Sequence, residues 1–229
     1  MALARVQKNS KILRGRVGNL VFRVFNGKEV VSIRPSEYKK STSPNAIKNK
    51  NRFSAVVALA KFVNSLPELS KIWETSTLRG NNNYMKILKA NLALTEGGNL
   101  SDKNIILPSD GFHNPVTDII LNEDKLNLCF SYTEEDLPLL KNRYNLHLVF
   151  YKSEIDRKQK LIPGITAQTI NDIELSDYLE ITLKLSPQYF YEINTDIKIF
   201  CVLTAKEIAN GKNYSTTFGK TLSIEKNKS

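Results

Sequence analysis

Cysteine, histidine and tryptophan are almost missing from this chain of 229 residues, which has two Cys, two His and one Trp. No Cys-x-x-Cys pair and no Cys/His cluster occurs, which excludes a structural zinc site. Cys129 and Cys201 stand far apart, and both two buried thiols in a reducing compartment and one bridge joining two sheets fit the sequence. No apolar run reaches the length of about 18 residues that a transmembrane helix needs. Met1 to Arg16 offers only scattered apolar residues between its cations, without the apolar core of a signal peptide. The expectation is a chain of the cytoplasm or of an assembled particle, with no membrane partner. Hydrophobic residues make up 41%, enough to build a core.

Negative charge is scarce at the front. Residues 1–107 hold 19 Lys+Arg against 6 Asp+Glu, a net of +13, whereas residues 108–229 hold 14 against 17, a net of −3. In the first 52 residues only Glu29 and Glu37 oppose the cations. Such asymmetry points to a polyanion partner or to an acidic neighbour, with a solvated basic face as the plain alternative.

The clearest local signal is Asn26-Gly27, the dipeptide a type I′ turn favours because both central residues need positive φ. It separates Leu20–Phe25 from Lys28–Ile33, and a two-residue loop places Phe22 opposite Val31 and Leu20 opposite Ile33. Gly15 and Gly18 mark a sharp entry to this hairpin. Residues 35–42 read as an extended connector. Ser43-Pro44 is a helix start, an N-cap followed by proline at the first position. Phe53, Val56, Val57, Ala60 and Val63 then recur as one apolar helical face. Pro67 ends that helix; Leu66, Leu69, Ile72 and Trp73 suggest a second short one. Tyr84, Ile87, Leu88 and Leu92 mark a third helix, stopped at Glu96-Gly97-Gly98-Asn99.

Beyond residue 108 the period changes to two. Leu126, Leu128, Phe130 and Tyr132 alternate with Asn127, Cys129 and Ser131, and residues 144–151 and 179–185 show the same period. Ile197, Ile199, Cys201 and Leu203 form one side of a run whose other side includes Phe200 and Val202. Weaker strands near Val116–Leu121 and Tyr214–Ile224 bring the count to six or seven. The expected fold class is α+β, an N-terminal β-hairpin with helices followed by an antiparallel immunoglobulin- or fibronectin-like β-sandwich. The expected division is a basic module over 1–100 and a sandwich over 105–225, with the linker at Gly97–Pro108.

Tests for chemistry fail one by one. Gly15-Arg16-Val17-Gly18 leads into a strand and lacks a third glycine, and Gly219-Lys220-Thr221 has Tyr214 where a P-loop needs glycine. His113 and His147 lack any nucleophile signature beside them. Glu123-Asp124 and Glu134-Glu135-Asp136 sit in turns, without the calcium-loop pattern. No enzyme activity, cofactor or metal is expected.

Binding is better supported. Arg5, Lys8, Lys11, Arg14, Arg16, Arg23, Arg34, Lys39, Lys40, Lys48, Lys50 and Arg52 populate an arm, the hairpin and a helix start. Cations so arranged can neutralise phosphates without reading sequence. Phe22, Phe25 and Tyr38 could supply stacking faces, or pack on a covering element.

Gly15-Arg16-Val17-Gly18-Asn19-Leu20-Val21-Phe22, Asn26-Gly27-Lys28, Ser32-Ile33-Arg34-Pro35 and the run from Thr42-Ser43-Pro44 to Arg52-Phe53 resemble a bacterial family of uncharacterised proteins. This is the domain-of-unknown-function family numbered six-two-six-six. The resemblance is sharp over residues 13–62. It implies a glycine-rich hairpin, a Thr/Ser-Pro-led helix and a β-sandwich behind, and no activity. The family usually carries Gln where this chain has Asn45, Asn49 and Asn51. The missing chemistry and the charge split between the two halves lead to the expectation of a non-catalytic structural or adaptor protein, bound to a protein partner or to its own copies in a larger assembly, of which a virion-like particle is one kind. The alternative is a sequence-independent binder of DNA or RNA through the basic front.

Overall fold

Two glycine turns fold the front of the chain into a small antiparallel sheet. Strand β1 (Gly15–Val17) turns at Gly18, φ +58°, into β2 (Leu20–Phe25), which turns at Gly27, φ +75°, into β3 (Lys28–Ile33). Both glycines hold a left-handed conformation that a side chain would strain. The register is the expected one, with Leu20 opposite Ile33 and Phe22 opposite Val31. The computed structural model describes residues 15–25, 27–34, 41–122, 125–132, 142–176, 178–182, 196–205 and 212–223. They divide into two compact units, Met1–Thr42 and Ser43–Ser229.

The second unit begins where the sequence sets a helix start. The Ser43 hydroxyl accepts the amide of Ala46 at 3.3 Å, and Pro44 opens α1 (Pro44–Ser65). Pro67 then starts α2 (Pro67–Thr75), and Asn82 caps α3 (Asn83–Leu92) by accepting the amide of Met85 at 2.9 Å. At the other end of α2 the Lys86 ammonium donates to the carbonyls of Trp73, Glu74 and Ser76, each at 3.0 Å, which satisfies orphan helix-end groups and meets the negative pole of the dipole. The buried face of α1 is Ala55, Val56, Leu59, Ala60 and Val63, a stripe rotated from the expected one: Phe53 is more than half exposed.

The strands are antiparallel throughout, and with the helices they make an α+β fold. β4 (Val116–Asn122), β5 (Lys125–Phe130) and β8 (Tyr178–Thr182) form one sheet in that order. β10 (Phe218–Ser223), β9 (Asp196–Ala205), β6 (Arg143–Ile155) and β7 (Leu161–Glu174) form the other, in the order β10–β9–β6–β7. Leu146, Leu148 and Phe150 of β6 and Ile197, Ile199, Cys201 and Leu203 of β9 share one core with Ile119, Leu126 and Leu128 of the three-stranded sheet. The alternate residues, Val149 and Tyr151 of β6 and Phe200 and Val202 of β9, face the helices and bury Val56, Leu59, Trp73 and Ile87. The four-stranded sheet is therefore the middle of three layers. Burial on both faces explains why β6 and β9 read as nearly continuous apolar runs.

The compact units meet at Thr42 and Ser43 rather than at the expected 97–108 stretch. That stretch is held by the core instead of linking two bodies. Leu100, Ile106 and Leu107 are buried, and buried Asn91 accepts from the Ile105 amide at 2.8 Å and from Asn104 Nδ2 at 2.9 Å. Helices whose apolar faces cover a sheet cannot form a separate body from it. Of the two cysteine alternatives, the structure holds thiols: neither Cys129 nor Cys201 is bridged, and burial pushes the Cys201 thiol pKa far up.

Candidate interaction surface

Successive strand residues point to opposite faces, so the register sorts the front sheet completely. One face carries Val17, Leu20, Phe22, Val24, Val31 and Ile33, with Glu29 near the hairpin tip as its one charge. The other carries Arg16, Arg23, Lys28 and Arg34 together with Val21, Phe25, Val30 and Ser32. Among the described residues both faces are exposed: Val31 is 54% exposed and Ile33 76% on the first, where Phe22 and Val24 are half-buried, and Phe25 69% on the second. Exposure of several large apolar side chains on one contiguous face is unusual.

Of the twelve cations expected to bind a polyanion, six are among the described residues, and they fall in both compact units. Arg5, Lys8, Lys11, Arg14, Lys39 and Lys40 lie outside the described residues, as does Tyr38. Arg16, Arg23 and Arg34 are exposed on one face of the front sheet; Lys48 and Lys50 are exposed on α1, in the other compact unit. Arg52 is committed elsewhere: its guanidinium donates to the Leu92 carbonyl through Nε, at 2.8 Å, and through a terminal nitrogen, tying α1 to the end of α3. Lys28, left out of the sequence-derived set, joins Arg16 and Arg23. Counting in twos from the Asn-Gly turn would have found it.

A buried titratable cluster lies under α2. His147 of β6 is 4% exposed, with Nδ1 3.0 Å from Thr169 Oγ1 and Nε2 3.0 Å from Thr204 Oγ1. The Thr204 hydroxyl also contacts Glu68 of α2, whose other oxygen lies 3.5 Å from Nε2. An ionised carboxylate only accepts, so Thr204 donates to Glu68 and must accept from Nε2–H; Nδ1 then accepts from Thr169. Burial pulls the His147 pKa below its ordinary value, against the opposing pull of Glu68. Burial works to raise the Glu68 pKa, but the Thr204 hydroxyl, His147 and Asn145 outweigh it and hold the carboxyl below its ordinary value. With the threonine proton spent on Glu68, this chain of bonds fastens α2 to the sheet rather than activating a nucleophile.

The remaining sequence candidates resolve simply. Gly219-Lys220-Thr221 is part of β10, paired with β9, and Lys220 meets Asp118. His113 is exposed, and the acidic runs 123–124 and 134–136 lie outside the described residues. Among the described residues no group of three His, Cys, Asp or Glu could hold a metal ion, and no helix is long and apolar enough to cross a membrane. The chain matches no protein-family model and no curated protein.

Proposed function

We propose that this chain is a non-catalytic structural or adaptor protein that works through protein–protein contacts in a larger assembly, in the cytoplasm or within a particle. The observation that carries this reading is the apolar face of the front sheet, on which Val17, Leu20, Val31 and Ile33 are exposed among the described residues. Its first occupant is a second copy of the same face. Every cation of the sheet points away from it, so two copies can meet back to back without opposing their positive charges. Six side chains make a small patch beside the roughly 800 Å² per partner of a stable complex. Association through it is therefore weak and depends on concentration, as suits a unit repeated in an assembly.

The same proposal includes kinship with the family numbered six-two-six-six, resting on residues 13–62, and a fibronectin-like reading of the rear sheets. The strand orders β4–β5–β8 and β10–β9–β6–β7 support that reading, being the arrangement of two packed sheets joined by strands that cross between them. The test is sedimentation velocity of the full chain over a rising micromolar series. A mass that increases with concentration, and stays monomeric in a Val31→Ser/Ile33→Ser variant, supports the reading. A wild-type monomer throughout that also captures no protein partner through this face counts against it.

A further inference from the structure

We propose that the opposite face of the front sheet binds single-stranded nucleic acid, with Lys28, Arg23 and Arg16 holding successive phosphates and Phe25 stacking on a base. This rests on the cationic face alone and stands or falls separately from the contacts of the apolar face. The register sets the three cations in a diagonal line. Lys28 on β3 is opposite Phe25, Arg23 lies two residues back along β2 from Phe25, and Arg16 on β1 is opposite Val21, two residues further back. One strand sideways and two residues along make each step about 8 Å, so the line crosses the whole sheet. Among the described residues none of the three has a carboxylate partner, since Glu29 lies on the far face. Arg16 is also oriented, its Nε donating to the Gly18 carbonyl at 2.9 Å.

Cations alone would suit a duplex as well as a single strand. Phe25 decides between them. It is 69% exposed, sits directly across from Lys28 and shares the face with Arg23, so an aromatic surface stands in water beside the phosphate-holding line. Burying that ring against a base returns the apolar area that exposure leaves in water, and every base has a face to offer. Bases in a duplex are already stacked and offer none. Recognition is thus of strand and backbone, without sequence.

The test is fluorescence anisotropy of the full chain with a labelled oligothymidylate, titrated between about 50 and 200 mM salt. The Arg16→Gln/Arg23→Gln/Lys28→Gln variant is expected to flatten the slope of log affinity against log salt by about 2, one contact of about 0.7 for each residue on a single strand. Phe25→Ala is expected to lower affinity about fivefold or more at fixed salt while leaving the slope unchanged. Lys103→Gln and Lys125→Gln, cations that already face Glu96 and Glu180, leave both readings alone. An unchanged slope in the triple variant, an unchanged affinity in Phe25→Ala, duplex bound as tightly as single strand, or no retention at low salt would each overturn the proposal.

Discussion

The indole N–H of Trp73 donates to the carbonyl of Ile106 at 2.8 Å, with both residues fully buried. This bond binds α2 to the 97–108 stretch and is one reason that stretch is core. Trp73→Phe keeps most of the ring but leaves the Ile106 carbonyl without its donor. The expected loss is about 1–3 kcal/mol, from the orphaned acceptor and the smaller volume. Urea unfolding measures it, and a variant as stable as the parent would mean the stretch is not held this way.

Acid should loosen the fold through His147 and Glu68. The folded His147 pKa lies below its ordinary 6.5, so the unfolded chain takes up the proton first and stability falls as pH drops below 6.5 toward the folded value. The folded Glu68 pKa lies below its ordinary 4.5, so its contribution is present above 4.5 and is lost as pH falls through the folded value. Both push the same way. Melting temperature recorded from pH 7.0 downward, at about half-unit steps, should decline more steeply for the parent than for His147→Gln. Parallel profiles would remove this group from the account.

Gly219 of β10 lies so near the backbone of Asp102 that a Cβ there would collide with the Asp102 carbonyl oxygen. The obstacle is backbone and has no flexible end to swing aside. Gly219→Ala should cost about 1–3 kcal/mol by overpacking, read as a lower denaturation midpoint. The same change at Gly97 meets open space but a φ of +60°, so its cost should come from the backbone alone and amount to about 1 kcal/mol.

Lys86→Met retains the aliphatic stem and removes three donated bonds to the end of α2. The expected destabilisation is about 1–2 kcal/mol, with faster hydrogen exchange in residues 67–75 than elsewhere. Uniform exchange across the unit would show that the ammonium does not secure this helix.

Turn chemistry and caps were legible because they act over a few residues. Gly27 and the alternation around it determine the hairpin register, Ser43-Pro44 sets the start of α1, and Pro67 marks its end. β7 escaped because Leu-Ile-Pro-Gly-Ile-Thr-Ala-Gln lacks period two. As an edge strand it tolerates Pro163 and Gly164, residues that usually argue against a strand. The Gly97–Pro108 stretch reads as a linker because its glycines signal a turn, while Leu100, Ile106 and Leu107 are buried by elements distant in sequence. The same distance hid the His147–Glu68 contact, which exists only after α2 docks on the sheet. The two faces of the front sheet were within reach, since register and alternation alone assign every residue from Leu20 to Ile33.

If copies of the chain meet through the apolar side of this sheet, hydrogen exchange of the full chain at low and high protein concentration will register it. Amides of Leu20–Ile33 should gain protection as concentration rises, while those of β6 and β9 exchange at unchanged rates. Protection gained in other segments with none at Leu20–Ile33, or no change anywhere as the chain associates, would contradict it.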